Sequence, residues 1–356
     1  MGEIKDIKDL TFDELKAELA AQGVPAYRAE QIFAWLYQKG ASTFEEFTDL
    51  PKTLRESLGA AYAITAPELS SVFRSQDQTQ KFLFKLADGC FIETVLIPSG
   101  GRTTVCVSTQ VGCKYSCVFC ASGLKGFIRN LTPAEIVNQV LFLKHARQAA
   151  VTNIVFMGMG EPLDNYGNLV KAIRIMNSPQ GMGLAARRMT VSTAGILPGI
   201  RRFKGLGLQV NLSISLHASS DEKRTRLMPV NKKYPLASLI EACLDYLESG
   251  GRKITLEYVL IDGVNDSLAD AAGLARIARR LRAKVNLIPY SPVPGIPLGV
   301  PAEQNLRAFM GRLVEHCVPA TLRHSKGRDI QAACGQLACR TSPSGIKSRR
   351  PASERF

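Results

Sequence analysis

The chain has 356 residues, a formal charge of +14 and 46% hydrophobic residues, enough for one large domain and a smaller one. It holds no run of eighteen apolar residues, and its start, MGEIKDIKDLTFDELKAELA, is charged and amphipathic, so a membrane span and a secretion signal are excluded and a cytoplasmic location is expected. Nine cysteines, odd in number and unevenly spaced, fit a reducing compartment where thiols serve metal and chemistry rather than a disulfide scaffold.

The charge is unevenly spread. Residues 1–75 hold eight Lys/Arg against twelve Asp/Glu, net −4, so the remainder carries +18. Lysine and arginine gain affinity for phosphates by releasing condensed counterions, so the excess points to a polyanionic partner. Candidate clusters are Arg187-Arg188, Arg201-Arg202 with Lys204, Lys223-Arg224 with Arg226, Lys232-Lys233, and Arg279-Arg280 with Arg282 and Lys284.

In chain order, residues 11–62 read as short helices. Thr11 or Asp13 caps the first, and Gly23-Val24-Pro25 separates it from a run over Ala29 to Gln38 whose Ile32, Phe33, Leu36 and Tyr37 share a stripe. Trp35, the only tryptophan, is expected in the core of this domain, residues 1–75. From Lys81 to Pro98 the pattern alternates, with a turn at Asp88-Gly89, which predicts a linking β-hairpin within residues 76–100. Glu93 falls out of phase with its apolar neighbours, and taken alone it reads as an exposed strand carboxylate.

Beyond Thr103 strands and helices alternate. Strands are predicted at Thr104–Ser108, Asn153–Met157, Met189–Ser192, Leu208–Ser215, Lys253–Leu260, Lys284–Pro289 and Thr321–His324, and helices between them include Pro133–Ala146, Leu236–Glu248, Asp266–Arg282 and Ala302–Cys317. Such alternation predicts an α/β domain over 101–340 built of about six parallel βα units. Ligands of such sheets sit at strand C-terminal ends, where the motifs of this chain fall. Residues 341–356 are basic, rich in Ser and Pro and without periodicity, and are expected to be disordered.

The loop Cys113-Lys114-Tyr115-Ser116-Cys117-Val118-Phe119-Cys120 carries three cysteines, with no fourth cysteine or histidine in the next twenty residues. A structural zinc site closes its tetrahedron with a fourth such ligand at short spacing. A cubane iron–sulfur cluster held by three thiolates keeps one iron open for another ligand. Gly158-Met159-Gly160-Glu161-Pro162-Leu163 lacks the third glycine of a dinucleotide fingerprint. Its glycines would let backbone approach a ligand and Glu161 would accept from an ammonium, unless it only caps a helix. Two further thiols, Cys106 and Cys334 in Ala332-Ala333-Cys334-Gly335, are not needed for the cluster and suggest covalent chemistry, whereas Cys90, Cys243 and Cys317 read as small core residues. Cys339 has no derivable role.

The spacing C-x3-C-x2-C resembles that of radical S-adenosylmethionine (SAM) enzymes, which implies a partial (β/α)6 barrel. The stretches ETVLIP, CVSTQVGCKYSCVFCASG, GFIRNLT, GMGEPLDN, STAG, SLHA and AACGQL together resemble the RlmN/Cfr family of adenosine methyltransferases over nearly the whole chain. The resemblance implies one [4Fe-4S] cluster on Cys113, Cys117 and Cys120, two SAM per turnover, and SAM contacts from Gly160, Glu161, Ser192, Ser215, Leu216 and His217. Where the family carries an asparagine this chain has Ser291, a shorter hydrogen-bonding side chain. It further implies that Cys334 is methylated and carries the methyl group as an S-methylcysteine, that Glu93 accepts the ring proton, and that Cys106 resolves the RNA–protein crosslink through a transient Cys106–Cys334 disulfide. RlmN-type methylation of adenosine C2 in 23S rRNA and in tRNA is expected, with Cfr-type C8 methylation as the alternative. A monomer reduced by a flavodoxin or ferredoxin is the expected form. Two readings from other classes remain: a non-catalytic iron–sulfur RNA-binding or assembly factor, and a glycyl-radical activating enzyme.

Overall fold

The computed structural model describes residues 4–124 and 126–337, so Cys339 and the 341–356 tail lie outside the described residues. Its strands are β1 (Glu68–Arg74), β2 (Gln80–Lys85), β3 (Phe91–Ser99), β4 (Arg102–Cys106), β5 (Gln110–Gly112), β6 (Phe127–Asn130), β7 (Asn153–Phe156), β8 (Met189–Thr193), β9 (Asn211–Ser215), β10 (Thr255–Leu260), β11 (Lys284–Pro289) and β12 (Ala320–Leu322). Ten of them form one sheet in the order β1-β2-β3-β4-β7-β8-β9-β10-β11-β12, and β5 pairs only with β6.

From β4 to β12 every neighbouring pair is parallel. The six crossovers carry the helices Pro133–His145, Tyr166–Asn177, Leu197–Lys204, Leu236–Glu248, Leu268–Arg280 and Glu303–Glu315, so the chain folds as the parallel α/β domain of six βα units that the alternation predicted. The helices are amphipathic for this reason: in Leu236–Glu248 the buried Leu236, Leu239, Ile240, Cys243 and Tyr246 recur every three or four residues. The strands they cover are enclosed on both faces, as in β10, every residue of which is buried.

The antiparallel part is larger than the hairpin read from the sequence. β1 was not foreseen: its residues alternate less clearly, and it forms by pairing with β2 through a bulge between Leu69 and Ser71. β3 then pairs antiparallel with β4, which makes β1–β3 an extension of the main sheet rather than a free linker. Cross-strand register fixes one face of this extension. Lys81 stands opposite Val95, Val95 opposite Cys106, and Glu93 opposite Leu83, so Lys81, Glu93 and Cys106 point the same way.

The N-terminal helices start where the sequence placed them. Thr11 caps Phe12–Ala21, with Glu14 reaching back to the Thr11 N–H in a capping box. They are tied to the helix Pro133–His145 through Lys8 Nζ, which donates to Asn138 Oδ1 at 2.7 Å, and through Asp9 Oδ1, which accepts from the Ala134 N–H at 2.9 Å. Trp35 departs from expectation: it is half-buried rather than central, stacked on Phe47 at 5.8 Å with its indole N–H on Asp49. Among the described residues no helix is long and apolar enough to cross a membrane.

Candidate active site

A cavity opens at the C-terminal ends of the parallel strands. Cys113, Cys117 and Cys120 form one wall. The loop that carries them leaves β5 and is braced from below: Lys114 Nζ pairs with Asp164 at 2.6 Å and the Tyr115 hydroxyl donates to the same carboxylate at 3.2 Å. Burial pushes the Cys113 thiol up to about 12 and raises Cys117 and Cys120 as well, so these thiols ionise only with a cation to bind. Among the described residues no three His, Cys, Asp or Glu side chains are already gathered into a set that could hold a single metal ion. The donor set, three thiols from one loop facing one cavity, fits a cluster with one open iron.

Glu161 forms the opposite wall. Its side chain caps the short helical turn Pro162–Asn165 by accepting from the Leu163 N–H, while Oε2 accepts from the Ala194 N–H at 2.7 Å. The capping reading therefore holds, and the same buried carboxylate also lines the cavity. Burial raises its pKa to about 7, against the pull of those N–H donors. A buried carboxylate in that position fits the ammonium of an amino-acid ligand.

The glycines of this motif line the cavity and also serve the packing of the loop. A Cβ at Gly158 would lie 2.7 Å from Ser108, and at Gly160, where φ is +102°, 2.5 Å from Gln110 Cβ. They let the loop after β7 pass against the segment entering the cysteine loop, rather than simply clearing space for a ligand.

Ser192 and Ser215 also line the cavity, their hydroxyls 3.3 Å apart at the ends of β8 and β9. His217 lines it from the left-handed region, φ +55°, and its Nδ1 accepts from the Val259 N–H at 3.0 Å. Burial, aided by Arg224, pushes its pKa down to about 3. The ring is thus neutral, with its proton on Nε2 and available to a ligand. Leu216 is buried behind this wall and contributes its backbone, its N–H donating to Glu257 O at 3.0 Å. Ser291 follows β11 and is also buried behind the wall, next to Tyr290, which does reach the cavity; its Oγ has no partner among the described residues.

Cys334, on the C-terminal loop, is exposed and lines the cavity. Burial raises its pKa and the Arg323 guanidinium draws it back. Cys106 ends β4 just behind the cavity wall. Burial pushes its thiol up to about 12, the neighbouring Cys334 adds to this, and Arg323 opposes it. Both are free thiols here.

Glu93 corrects the exposed-strand reading. It is buried on β3, its Oε1 3.0 Å from Lys81 Nζ, and its backbone carbonyl accepts from Ser108 Oγ at 2.6 Å. It does not line the cavity itself. The face it shares with Cys106, not its sequence neighbourhood, brings the two together.

Three further residues escaped the sequence reading. Arg224, counted among the basic surface clusters, is fully buried: it donates to the carbonyls of Leu216 and Ala194 and to Asn231 Oδ1, which knots together the loops after β8 and β9. Glu257 and Arg323 line the cavity beside Cys334; Glu257 Oε1 accepts from Ser213 and Asn286, and Oε2 is buried with no partner among the described residues. A lone glutamate inside the otherwise apolar strand Thr255–Leu260 was the available signal. Other expectations also shift. Cys90 and Cys243 are buried as anticipated, but Cys317 is exposed. Arg187-Arg188, Arg201-Arg202 with Lys204, and Arg279-Arg280 with Arg282 and Lys284 are exposed, yet they lead into the N-terminal ends of β8, β9 and β11, away from the cavity.

Comparison with known proteins agrees with this arrangement. The family described as Radical SAM superfamily matches residues 107–275, and that described as Ribosomal RNA large subunit methyltransferase N-terminal domain matches residues 5–64. The chain is 47% identical to the dual-specificity RNA methyltransferase RlmN of Syntrophus aciditrophicus over 94% of its own length and 96% of the relative's. It is 47% identical to the protein of the same description from Geobacter sulfurreducens, with 95% and 93% covered. The crystal structure of a radical SAM methyltransferase from Sphaerobacter thermophilus superposes with a TM-score of 0.88 at 48% identity, covering 94% of this chain and 99% of that one.

Proposed function

Because the chain belongs to the RlmN family of radical SAM RNA methyltransferases, we propose that it methylates C2 of adenosine in 23S rRNA and in tRNA beside the anticodon. The observation that carries this reading is the meeting, in one cavity, of the three-cysteine wall, the buried carboxylate of Glu161 and the exposed sulfur of Cys334. An assembly factor would have no use for that third element, and a methyl-carrying thiol must be reachable from the cofactor site.

Cys113, Cys117 and Cys120 would hold a [4Fe-4S] cluster. SAM would occupy its open iron, with Glu161 on the SAM ammonium and with Gly160, Ser192, Ser215, Leu216, His217 and Ser291 around it. Together these groups supply a carbon radical able to remove hydrogen from an S-methyl group, which matters because adenine C2 is too electron-poor to attack a sulfonium directly. Cys334, methylated by a first SAM and then stripped of one methyl hydrogen, bonds to C2 through its methylene carbon, and the unpaired electron left on the base would pass back to the cluster. Glu93 accepts the C2 proton from the crosslinked base. Cys106 attacks the Cys334 sulfur, forming the disulfide and freeing the carbon to be protonated as a methyl group, and a cellular dithiol resets the pair. The raised pKa of Cys106 supports a thiol kept quiet until this step; once Cys334 is a thioether, the repulsion between two thiolates is removed.

An electron donor of the flavodoxin or ferredoxin type, a monomeric state and a cytoplasmic location accompany this reading. The curated relatives are of the RlmN type, which favours C2 over the Cfr-type C8. The test is mass spectrometry of the tryptic peptide Asp329–Arg340 from anaerobically prepared enzyme, with nucleoside analysis of the RNA product. A methyl group on Cys334 and 2-methyladenosine are expected. An unmodified Cys334 after incubation with SAM and an intact cluster would defeat the carrier role, and 8-methyladenosine would defeat the C2 assignment.

A further inference from the structure

Lys81 is a buried cation, its side chain only 3% exposed, on the face of β2 that it shares with Glu93 and Cys106. A charge so placed is destabilising unless each of its donors has a purpose. Its ammonium makes two contacts of 3.0 Å: one to Glu93 Oε1, and one to the backbone carbonyl of Gln331, three residues before Cys334. The adjoining β1–β2 turn grips the same loop. Asp77 accepts from the Gly327 N–H at 2.9 Å, and Asp329 accepts from Ser75 Oγ at 2.6 Å and from the Gln76 N–H. On its far side the loop is fastened to the cysteine wall, where the Ala121 N–H donates to Gly335 O at 2.7 Å. The sulfur of Cys334 therefore hangs between an anchor on the cluster loop and an anchor on the antiparallel extension.

We propose that Lys81 is a positioning residue for the second half of the reaction: by holding the Glu93 carboxylate and the Gln331 carbonyl on one ammonium, it sets the carrier loop and the proton acceptor in a single register. This rests on the reading of Cys334 as carrier and Glu93 as acceptor. Methylation of Cys334 needs neither Glu93 nor Lys81, whereas release of the crosslinked base needs the C2 hydrogen brought to the carboxylate. The lysine thus separates the two half-reactions, which a residue that only maintained the fold would not do.

The experiment uses the full chain with its cluster, SAM and a 23S rRNA fragment, and reads S-methylation of Cys334, RNA–protein crosslink and released methyladenosine separately. Lys81→Met is expected to keep Cys334 methylation within twofold of the parent, to slow release at least tenfold and to accumulate crosslink, and Lys81→Arg to recover most of the release rate. The double variant Lys81→Met with Glu93→Gln should be no slower than Glu93→Gln alone, because a residue acting through Glu93 adds nothing once the carboxylate is gone. This variant also removes both buried charges, so it reports even if Lys81→Met alone does not fold. Release at the parental rate in Lys81→Met, or defects that multiply in the double variant, overturns the proposal. A Glu93→Gln enzyme that releases product normally defeats the acceptor reading itself, and a slow Glu93→Gln beside a normal Lys81→Met defeats only the role of the lysine.

Discussion

The parallel half of the sheet and its antiparallel extension build function in different ways. From β4 to β12 the reactive groups stand on loops past the strand ends, where Cys113, Cys117, Cys120, Glu161 and His217 converge on one cavity. In the extension they stand mid-strand: Lys81 and Glu93 are buried side chains whose meeting depends on the pairing of β2 with β3. A loop can be assembled from a short stretch of sequence, but a cross-strand pair exists only once register is set, since a slip of one residue turns every side chain to the other face. The loop that bears Cys334 is the place where the two constructions touch.

The sharpest break in that comparison comes from the two thiols where the regions meet, Cys106 at the end of β4, the strand that pairs with the extension, and Cys334 on the C-terminal loop. Cys334→Ala should abolish methyl transfer while the iron content of the purified protein stays at the parental level. Cys106→Ala should methylate its carrier and then trap the RNA–protein crosslink, visible as a slow band on a denaturing gel; normal turnover would remove the resolving role. Both effects should exceed a thousandfold in released product, because each removes a group that bonds covalently.

Arg224→Ala tests whether the loop-borne half depends on a buried scaffold. It leaves the Ala194 carbonyl and Asn231 Oδ1 without their donor, takes from the Leu216 carbonyl the donor it shares with the Ala218 N–H, and should cost about 3 kcal/mol or more in denaturant unfolding. SAM binding, measured calorimetrically, should weaken at the same time, because those carbonyls hold the loops after β8 and β9 in place. Unchanged stability would mean that water replaces the guanidinium.

Glu161 gives a smaller, pH-dependent effect. Its folded pKa of about 7 lies above its ordinary value of 4.5, so its contribution to stability is fully present below the ordinary value and is lost as pH rises through about 7. Ligand binding runs the other way: an ammonium needs the carboxylate, so SAM affinity should fall as pH drops below about 7. Both trends should flatten in Glu161→Gln, and a pH profile identical to the parent's would show that another group titrates there. The smallest effect is expected in the N-terminal helices, where Thr11→Ala removes a capping box and should lower stability by about 1 kcal/mol without altering catalysis.

Much of this was legible in the sequence because its causes are local. The helix Leu236–Glu248 and the strand Lys284–Pro289 fall where the periodicity put them, since each buries a stripe or a pleat that a short window reveals. The cysteine loop was legible because a ligand set from one loop must appear as a spacing. Arg224 misled for the converse reason: a charged residue beside Lys223 and Arg226 resembles a solvated face, and only the loops folded over it make it a buried hub. Composition likewise overstated the basic surface at the site, since charge counts do not say which end of a strand a cluster adjoins.

The sequence by itself thus determined the parallel α/β order, the three-cysteine loop and, through several motifs in fixed order, the family. The tertiary structure decided what depends on distant pairings: β1 as a strand, the common face of Lys81, Glu93 and Cys106, and the approach of the Gln331 carbonyl to an ammonium 250 residues earlier in the chain. The physical reason is range. Helical and strand periods are set by neighbours within a few residues, whereas the surroundings that charge, bury or pair a side chain are supplied by whichever segment the completed sheet brings against it.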